Sequence, residues 1–185
     1  ALNTSQVAAL STAQVAALTT SQVSDLASTT VAALSSTQVN AMGTSQVAAL
    51  SLNSVAAMTT GQVAGLNTTV LKALTTGSIA ALTNAQVKAL TTTSVAALDT
   101  DQVKAIESAD IAVLSSTQVK ALTTAQVASL TATQVPKLTT TQVAALTATQ
   151  IKGLETADLA ALDSSQLRAL SASAARDPCA GSGGE

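Results

Sequence analysis

A leucine, or in places a methionine or isoleucine, recurs at every eighth position along most of the chain without a break in register. The series runs from Leu2 through Met42 and Ile106 to Leu170. A second apolar series, mostly valine, follows five residues after each leucine, so the unit is L-[ST]-[ST]-x-Q-V-x-A. One continuous helix cannot use this pattern, because eight residues at about 100° each move the apolar stripe by about 80° per unit. The chain must therefore turn in every unit.

The residue after most of these leucines is of a type that favours a helix N-cap, although Ala27, Glu107 and Glu155 lack a good cap side chain. These positions hold Asn3, Ser11, Thr19, Ser35, Gly43, Ser51, Thr59, Asn67, Thr75, Thr83, Thr91 and Asp99. Three residues later there is usually a glutamine, as at Gln6, Gln14 and Gln22, and this spacing is that of the capping box. Each unit therefore predicts a cap and about one and a half helical turns. Such short helices are unstable alone, so stacking of the units must hold them.

Alternate units differ at the residue that follows the valine. Every second unit has alanine there, as at Ala16 and Ala32, whereas the other units vary and include Lys72 and Pro136. We interpret this alternation as one class of unit burying the position and the other exposing it. It predicts an all-α solenoid of very short capped helices, with sixteen residues and two helices in each coil. The threonine and valine content leaves one alternative open, a β-solenoid that also has sixteen residues per coil.

Two local features qualify this repeat. Pro136 lies where an α-helix needs the backbone N–H, and therefore predicts a very short or 3₁₀-like segment. After Leu170 the repeat ends, so we expect a solenoid over residues 1–170 and a flexible tail or linker over residues 171–185. Cys179, the one cysteine, lies in that tail and could link two chains. Because the chain begins within a repeat at Ala1, we expect it to be a segment of a longer protein.

The composition argues against several functions. The chain has no histidine and no aromatic residue, so its many hydroxyls lack a base and imidazole or multi-thiolate metal sites cannot form. We therefore expect no enzyme activity, no metal and no cofactor. The formal net charge of −2 argues against specific nucleic-acid binding. No apolar stretch reaches the eighteen or so residues of a transmembrane segment.

Six basic residues are spaced by multiples of sixteen: Lys72, Lys88, Lys104, Lys120, Lys152 and Arg168. In a sixteen-residue coil they would form one charged line, which would either bind a polyanion or glycan or simply keep that edge hydrated. Paired hydroxyls, such as Thr19–Thr20 and Thr59–Thr60, also recur in register and could match a regular surface such as ice or a glycan.

Residues 138–146, with the pattern L-T-T-x-Q-V-x-A-L, resemble the octapeptide arrays of large secreted or surface-attached bacterial repeat proteins and adhesins. This resemblance implies an extracellular stalk or filament segment without catalytic residues. The pattern L-T-x-x-Q-V is also similar to the first helix of transcription-activator-like effector repeats, but their base-reading loop is missing, so that likeness supports only the helix start.

These observations together predict a non-enzymatic structural protein, an extracellular stalk, spacer or filament subunit at a bacterial surface. Its coils would stack end to end, either with other copies or with flanking repeats of a longer chain. The alternative is a surface-binding module for a glycan, polyanion or ice, using the lysine line or the threonine array.

Overall fold

The computed structural model describes residues 3–174 of the chain. Within that range the regular structure is entirely helical, and no residue lies in a strand. The chain divides into two compact units, Ala1–Ile106 and Glu107–Glu185. The prediction of an all-α solenoid of very short capped helices is confirmed, and the β-solenoid alternative is wrong.

The first unit contains thirteen described helices, each of five or six residues. They are α1 Thr4–Ala8, α2 Thr12–Ala16, α3 Thr20–Ser24, α4 Ser28–Ala32, α5 Ser36–Asn40, α6 Thr44–Ala48, α7 Leu52–Ala56, α8 Thr60–Ala64, α9 Thr68–Ala73, α10 Thr76–Ala80, α11 Asn84–Ala89, α12 Thr92–Ala97 and α13 Thr100–Ala105. We call each eight-residue repeat, counted from its N-cap, an octad, and the first octad is 3–10.

The N-caps are where the sequence predicts them. In a typical octad, Gln38 N donates to Ser35 Oγ at 3.2 Å and Ser35 N donates to Gln38 Oε1 at 2.7 Å, which completes the capping box. Ala27 and Glu107, which lack a good cap side chain, make no side-chain cap hydrogen bond. The chain then turns at the leucine, whose N–H bonds the valine carbonyl three residues earlier, as from Leu90 to Val87 at 3.2 Å.

Each helix of the first unit packs on the helix three octads away. The contacts join α1, α4, α7, α10 and α13 into a first stack, α2, α5, α8 and α11 into a second, and α3, α6, α9 and α12 into a third. Because α1 begins at Thr4 and α4 at Ser28, one coil contains 24 residues and three helices. The predicted coil of sixteen residues and two helices is therefore wrong.

The alternation at the sixth octad position does not reflect burial, and this explains the error. Ala16 and Ala48 are exposed, as are Ser24 and Lys72 in the other class of octad. Because most residues of both classes are exposed at this position, the alternation does not separate buried octads from exposed ones. The sixteen-residue sequence period is therefore independent of the 24-residue coil.

The valine and leucine side chains of a coil pack against different neighbouring coils. In the first coil, residues 3–26, the valines at the fifth octad position are buried, whereas Leu10, Leu18 and Leu26 are half-buried. From Leu34 onward, where a preceding coil exists, the leucines of this unit are buried as well. We conclude that leucine packs against the preceding coil and valine against the following one.

The second unit has short helices of the same kind, one 3₁₀ helix and a longer last helix. Its elements are α14 Ser108–Ile111, α15 Ser116–Ala121, α16 Thr124–Ala128, the 3₁₀ helix η1 Val135–Lys137, α17 Thr140–Ala145, α18 Ala148–Ile151, α19 Thr156–Ala161 and α20 Ser164–Ala174. Packing again joins helices three octads apart, as for α15 with α17 and α16 with α18. The 3₁₀ segment at Pro136 confirms that prediction, because proline removes the donor an α-helix needs.

Helix α20 continues without a turn past Leu170 to Ala174, so residues 171–174 extend the last helix. The rest of the expected tail, including Cys179, lies outside the described residues. No helix in residues 3–174 is both long enough and apolar enough to cross a membrane.

Candidate functional site

A recurring polar contact among the described residues joins one coil to the next through glutamine. Gln86 Oε1 accepts from Thr83 N within its own capping box, while Gln86 Nε2 donates to the carbonyls of Val55 at 2.8 Å and Met58 at 2.7 Å. Those carbonyls lie 31 and 28 residues earlier, at the C-terminal end of α7 and the following turn. One amide therefore caps its own helix at the N-terminus and a helix of the preceding coil at the C-terminus.

This glutamine bridge recurs in both units. The residues that bond carbonyls of the preceding coil are Gln38, Gln46, Gln62, Gln86 and Gln102 in the first unit, and Gln142, Gln150 and Gln166 in the second. Helix C-termini leave carbonyls without partners, and buried carbonyls must be paired. The bridges therefore supply the polar half of the coil interface, and leucine and valine supply the apolar half.

Sequence reasoning found only the capping half of this contact. The capping box uses the glutamine oxygen and leaves two N–H donors on the amide. Because a buried donor needs an acceptor, a buried glutamine at this position signals a further partner. The sequence gives no separate signal for the coil length, because the positions where this glutamine is replaced follow no single period: Thr30, Ser54, Val70, Ser78, Ser94, Asp110 and Asp158.

At Ser54 and Ser78 a hydroxyl takes the place of the amide. Ser54 Oγ accepts a hydrogen bond from Ser51 Oγ at 2.8 Å and donates to Leu26 O at 3.5 Å. Ser78 Oγ pairs with Thr75 Oγ1 at 2.9 Å. In these two octads the side chain mainly supports the cap of its own helix.

Asp110 also occupies the glutamine position, and its environment differs again. The side chain is buried, and Oδ1 is the one buried side-chain polar atom in the described residues without a hydrogen-bond partner. Burial raises the pKa of the Asp110 carboxyl above its ordinary value, and the charge of Glu107 raises it further. An ionised carboxylate cannot donate as glutamine does, so this octad lacks the amide donor of the bridge.

Two further contacts bring neighbouring coils close together. Asn40 Nδ2 donates to Gly65 O at 2.7 Å, and Asn40 Oδ1 accepts from Asn67 N at 2.9 Å, so one side chain spans the turn of the next coil. A Cβ on Gly65 would lie 2.7 Å from Ser36 Cβ. At this octad the seventh position, usually alanine, has no room for a Cβ beside Ser36.

The structure does not place the predicted basic residues on one line. In the first unit, Lys72 belongs to α9, Lys88 to α11 and Lys104 to α13, which lie in three different stacks. In the second unit, Lys120 of α15 and Arg168 of α20 both lie in the column through α17, but Lys152 follows α18, which packs on α16. The line was predicted from a sixteen-residue coil, and with 24 residues per coil successive basic residues move to a different side.

The third stack of the first unit instead carries a regular array of hydroxyls. At the second and third octad positions every helix of this stack has an exposed Thr or Ser: Thr20, Ser21, Thr44, Ser45, Thr68, Thr69, Thr92 and Thr93. We call these eight residues the hydroxyl column. The other two stacks interrupt the same positions with residues such as Leu52, Asn84 and Ala85, so the pairing belongs to one side.

Within the described residues, no cluster of three or more His, Cys, Asp or Glu could hold a metal ion. Asp101 and Lys104 form an exposed ion pair at 3.3 Å.

A family model described as the ALTTAQ repeat matches residues 1–28, 55–92, 76–105 and 103–140, which together exceed half of the chain. The hexapeptide Ala-Leu-Thr-Thr-Ala-Gln itself stands at residues 121–126. A search of curated proteins and a search of solved structures each found no match. The family match confirms that this is a repeat protein, and a repeat family with a helical array fits a non-enzymatic role.

Proposed function

Since the chain belongs to the ALTTAQ repeat family, we propose that it is a non-enzymatic structural element, a stalk or spacer whose coils also stack end to end to form filaments. The observation that carries this proposal is the glutamine bridge. The same amide contact joins coil after coil, so each coil depends on its neighbours rather than on a central core. Arrays of this kind can change length by adding units without redesign.

A length series tests the spacer function. Variants with three or six consensus octads added after Leu66 should stay helical by circular dichroism, and each added coil should increase the maximum dimension in small-angle scattering by about 8–10 Å, the usual distance between packed helices. Scattering should be recorded at high dilution so that assembly does not contribute. An unchanged maximum dimension, or loss of helical signal, would contradict a spacer.

The proposed location is outside a bacterial cell, at its surface. The support is the resemblance of the octads to arrays in secreted and surface-attached repeat proteins. An epitope-tagged copy in the bacterium that encodes the chain should be cleaved by protease added to intact cells. Cleavage only after lysis would place it inside and contradict this part of the proposal.

The hydroxyl column supports a second candidate function, the binding of a neutral glycan. Its exposed hydroxyl pairs repeat once per coil on one side, and hydroxyls can both donate to and accept from sugar hydroxyls. The column is uncharged, which favours a glycan over a polyanion.

Retention on an insoluble neutral glucan tests this candidate. Replacing Thr44 and Thr68 by valine removes two hydroxyls of the column without changing side-chain shape, and should weaken retention about tenfold or more. The matched control replaces Thr12 and Thr60, which stand at the same helix position in the second stack. Equal loss in both variants, or inhibition of ice growth without glucan retention, would contradict glycan binding.

A further inference from the structure

The contact that Asn40 makes with the following coil runs in the opposite direction to a glutamine bridge. In a bridge the side chain belongs to the later coil and the carbonyls belong to the earlier one. Asn40 instead belongs to the second coil, residues 27–50, and bonds the backbone of the third coil, residues 51–74. Its Nδ2 donates to Gly65 O at 2.7 Å, and its Oδ1 accepts from Asn67 N at 2.9 Å. One amide therefore holds both sides of the turn between α8 and α9.

Val70 is the reason that Asn67 N needs an acceptor from another coil. In a capping box the fourth-position glutamine accepts from the N-cap N–H, but the buried Val70 stands at that position and its side chain has no acceptor. The Asn67 side chain still accepts from Val70 N at 2.8 Å, which is the other half of the box. Asn40 Oδ1 supplies the missing half. Asn40 and Val70 therefore complement each other across the coil interface.

Gly65 completes this contact, because its missing side chain lets the turn approach α5. A Cβ at Gly65 would lie 2.7 Å from Cβ of Ser36, which begins the helix that ends at Asn40. An alanine at this position would hold the turn away from the Asn40 amide. We call Asn40, Gly65, Asn67 and Val70 the pairing contact.

The pairing contact occurs once in the sequence. In the octads of residues 3–170, no other sixth position holds asparagine and no other fourth position holds an apolar residue. The glutamine bridge, in contrast, is the same wherever it forms. Gln62 of the third coil donates to Val31 and Leu34 of the second, and the equivalent carbonyls of the first coil also accept from a glutamine. The repeated contacts therefore hold two coils together but do not distinguish one coil from the next.

A slipped pairing shows why this matters while the chain folds. If the third coil packs on the first, the second coil is skipped, yet the repeated contacts of the interface are kept. The added loop costs little because loop-closure entropy grows slowly with length, and misassembly is a characteristic failure of repeat proteins. In the slipped pairing, however, Ala16 takes the place of Asn40. Asn67 N then has no acceptor, and leaving a donor unpaired is unfavourable.

We propose that the pairing contact selects the second coil as the neighbour of the third while the array folds. The repeated leucines, valines and glutamines stabilise any pairing of coils, and the pairing contact makes the native pairing the most favourable one. A single polar asparagine specifies the alignment of coiled-coil helices in a comparable way.

Disulfides can report which coils pair. The seventh position of an octad lies beside the second position three octads earlier, as Gly65 does beside Ser36 and Gly153 beside Thr124. Cysteines at two such positions are therefore expected to be close enough to form a disulfide.

The reporter chain carries Cys179→Ser and three introduced cysteines. Ala73→Cys lies in the third coil, Thr44→Cys at its neighbouring position in the native pairing, and Thr20→Cys at its neighbouring position in the slipped pairing. The chain refolds from urea in a glutathione redox buffer, so that disulfides exchange until they reflect how the coils pair.

Cleavage before Asp25 and after Lys72 places the three cysteines on separate peptides. Mass spectrometry then gives the ratio of the slipped disulfide, between positions 20 and 73, to the native disulfide, between positions 44 and 73. Asn40→Ala should raise this ratio at least about fivefold, because the native pairing loses two hydrogen bonds that the slipped pairing never has.

The matched control is Gln62→Ala, which removes a bridge of the same interface. The slipped pairing loses the equivalent bridge, so the ratio should change less than about twofold although the coils are destabilised. An unchanged ratio in Asn40→Ala, or an equal rise in both variants, would overturn the inference, because Asn40 would then stabilise the coils without selecting their order.

Discussion

The first and second stacks of the first unit solve the same interface in different ways. In the second stack the fourth octad position is always glutamine after the first coil, at Gln38, Gln62 and Gln86, and each amide bonds carbonyls of the preceding coil. In the first stack Thr30, Ser54 and Ser78 stand at this position. Gln102 stands there in the last helix of the stack. The hydroxyl of Ser54 still lies 3.5 Å from Leu26 O although its side chain is two bonds shorter.

We infer from the contact at Ser54 that the spacing between coils varies from one octad to another. A serine can approach the carbonyl of the preceding coil only where the two backbones lie closer. We therefore infer that the separation between coils is smaller at Ser54 than at the octads with glutamine. The repeated apolar residues define the register, and the fourth position adjusts the separation.

Gln86→Glu should have the largest effect, because it places a carboxylate against the carbonyls of Val55 and Met58. We expect the free energy of unfolding at pH 7 to fall by about 3 kcal/mol or more, as for a buried charge without a partner. Urea unfolding followed by circular dichroism at 222 nm measures it. Part of the loss should return on acidification, when the carboxyl can donate. The control is Gln14→Glu in the first coil, which should cost little in the monomer.

Ser54→Gln tests whether the separation between coils is smaller at Ser54 than at the octads with glutamine. If it is, the longer side chain forces the coils apart and destabilises the chain by about 1–3 kcal/mol, the usual cost of overpacking. The reciprocal Gln86→Ser should also destabilise, because two carbonyls lose their donor and a cavity remains. Stabilisation by Ser54→Gln would show that the coils at Ser54 leave room for an amide and lie no closer than at the octads with glutamine.

Gly65→Ala should destabilise although alanine is the usual residue at the seventh octad position. An alanine in a helix normally gains about 0.5–1 kcal/mol over glycine, but here its Cβ would lie 2.7 Å from Ser36 Cβ. We expect a net loss of about 1 kcal/mol from the clash. The same urea measurement on Gly65→Ala with Ser36→Gly should recover that loss, since the second change removes the contacted atom.

Asp110→Asn should stabilise the chain at neutral pH by about 1 kcal/mol, because an amide replaces a buried carboxylate that has an unpaired oxygen. The pKa of Asp110 is raised in the folded state, so the unmodified chain binds its proton more tightly when folded. Its stability therefore falls as pH rises from about 3.8 through the raised pKa. The variant and the unmodified chain should converge below that range, and a constant difference at every pH would argue against this assignment.

The sequence predicts the helices well because their signals are local. The caps at Ser35 and Thr83, the missing cap at Ala27 and the 3₁₀ segment at Pro136 each depend on residues within one octad. The number of octads per coil is different, since it depends on the angle at every turn and on contacts 24 or more residues away. The varied sixth position suggested the wrong period because it is exposed in most octads of both classes, so its residue type does not depend on the coil length.

For the candidate surfaces too, local features could be predicted and features that depend on the coil length could not. The basic residues were individually correct as exposed positions, but their grouping required the coil length. Thr44 and Thr68 are neighbours in one stack only because three helices complete a coil. The intercoil role of Gln86 follows from a donor that the capping box leaves over, and its acceptors at Val55 and Met58 could be identified only in three dimensions.

The three-helix coil gives this chain an unusual freedom when genes gain or lose repeats. Insertion of a single octad leaves every interface formed by equivalent residues, yet it shifts each downstream side chain to the next stack, a third of a turn around the axis. Unequal recombination could thus rotate an outward-facing feature, such as a lysine or a threonine pair, relative to everything before it while the interior stays unchanged. Surface pattern and interior packing can therefore evolve separately, and copies that differ by one octad would present different sides to the same neighbour.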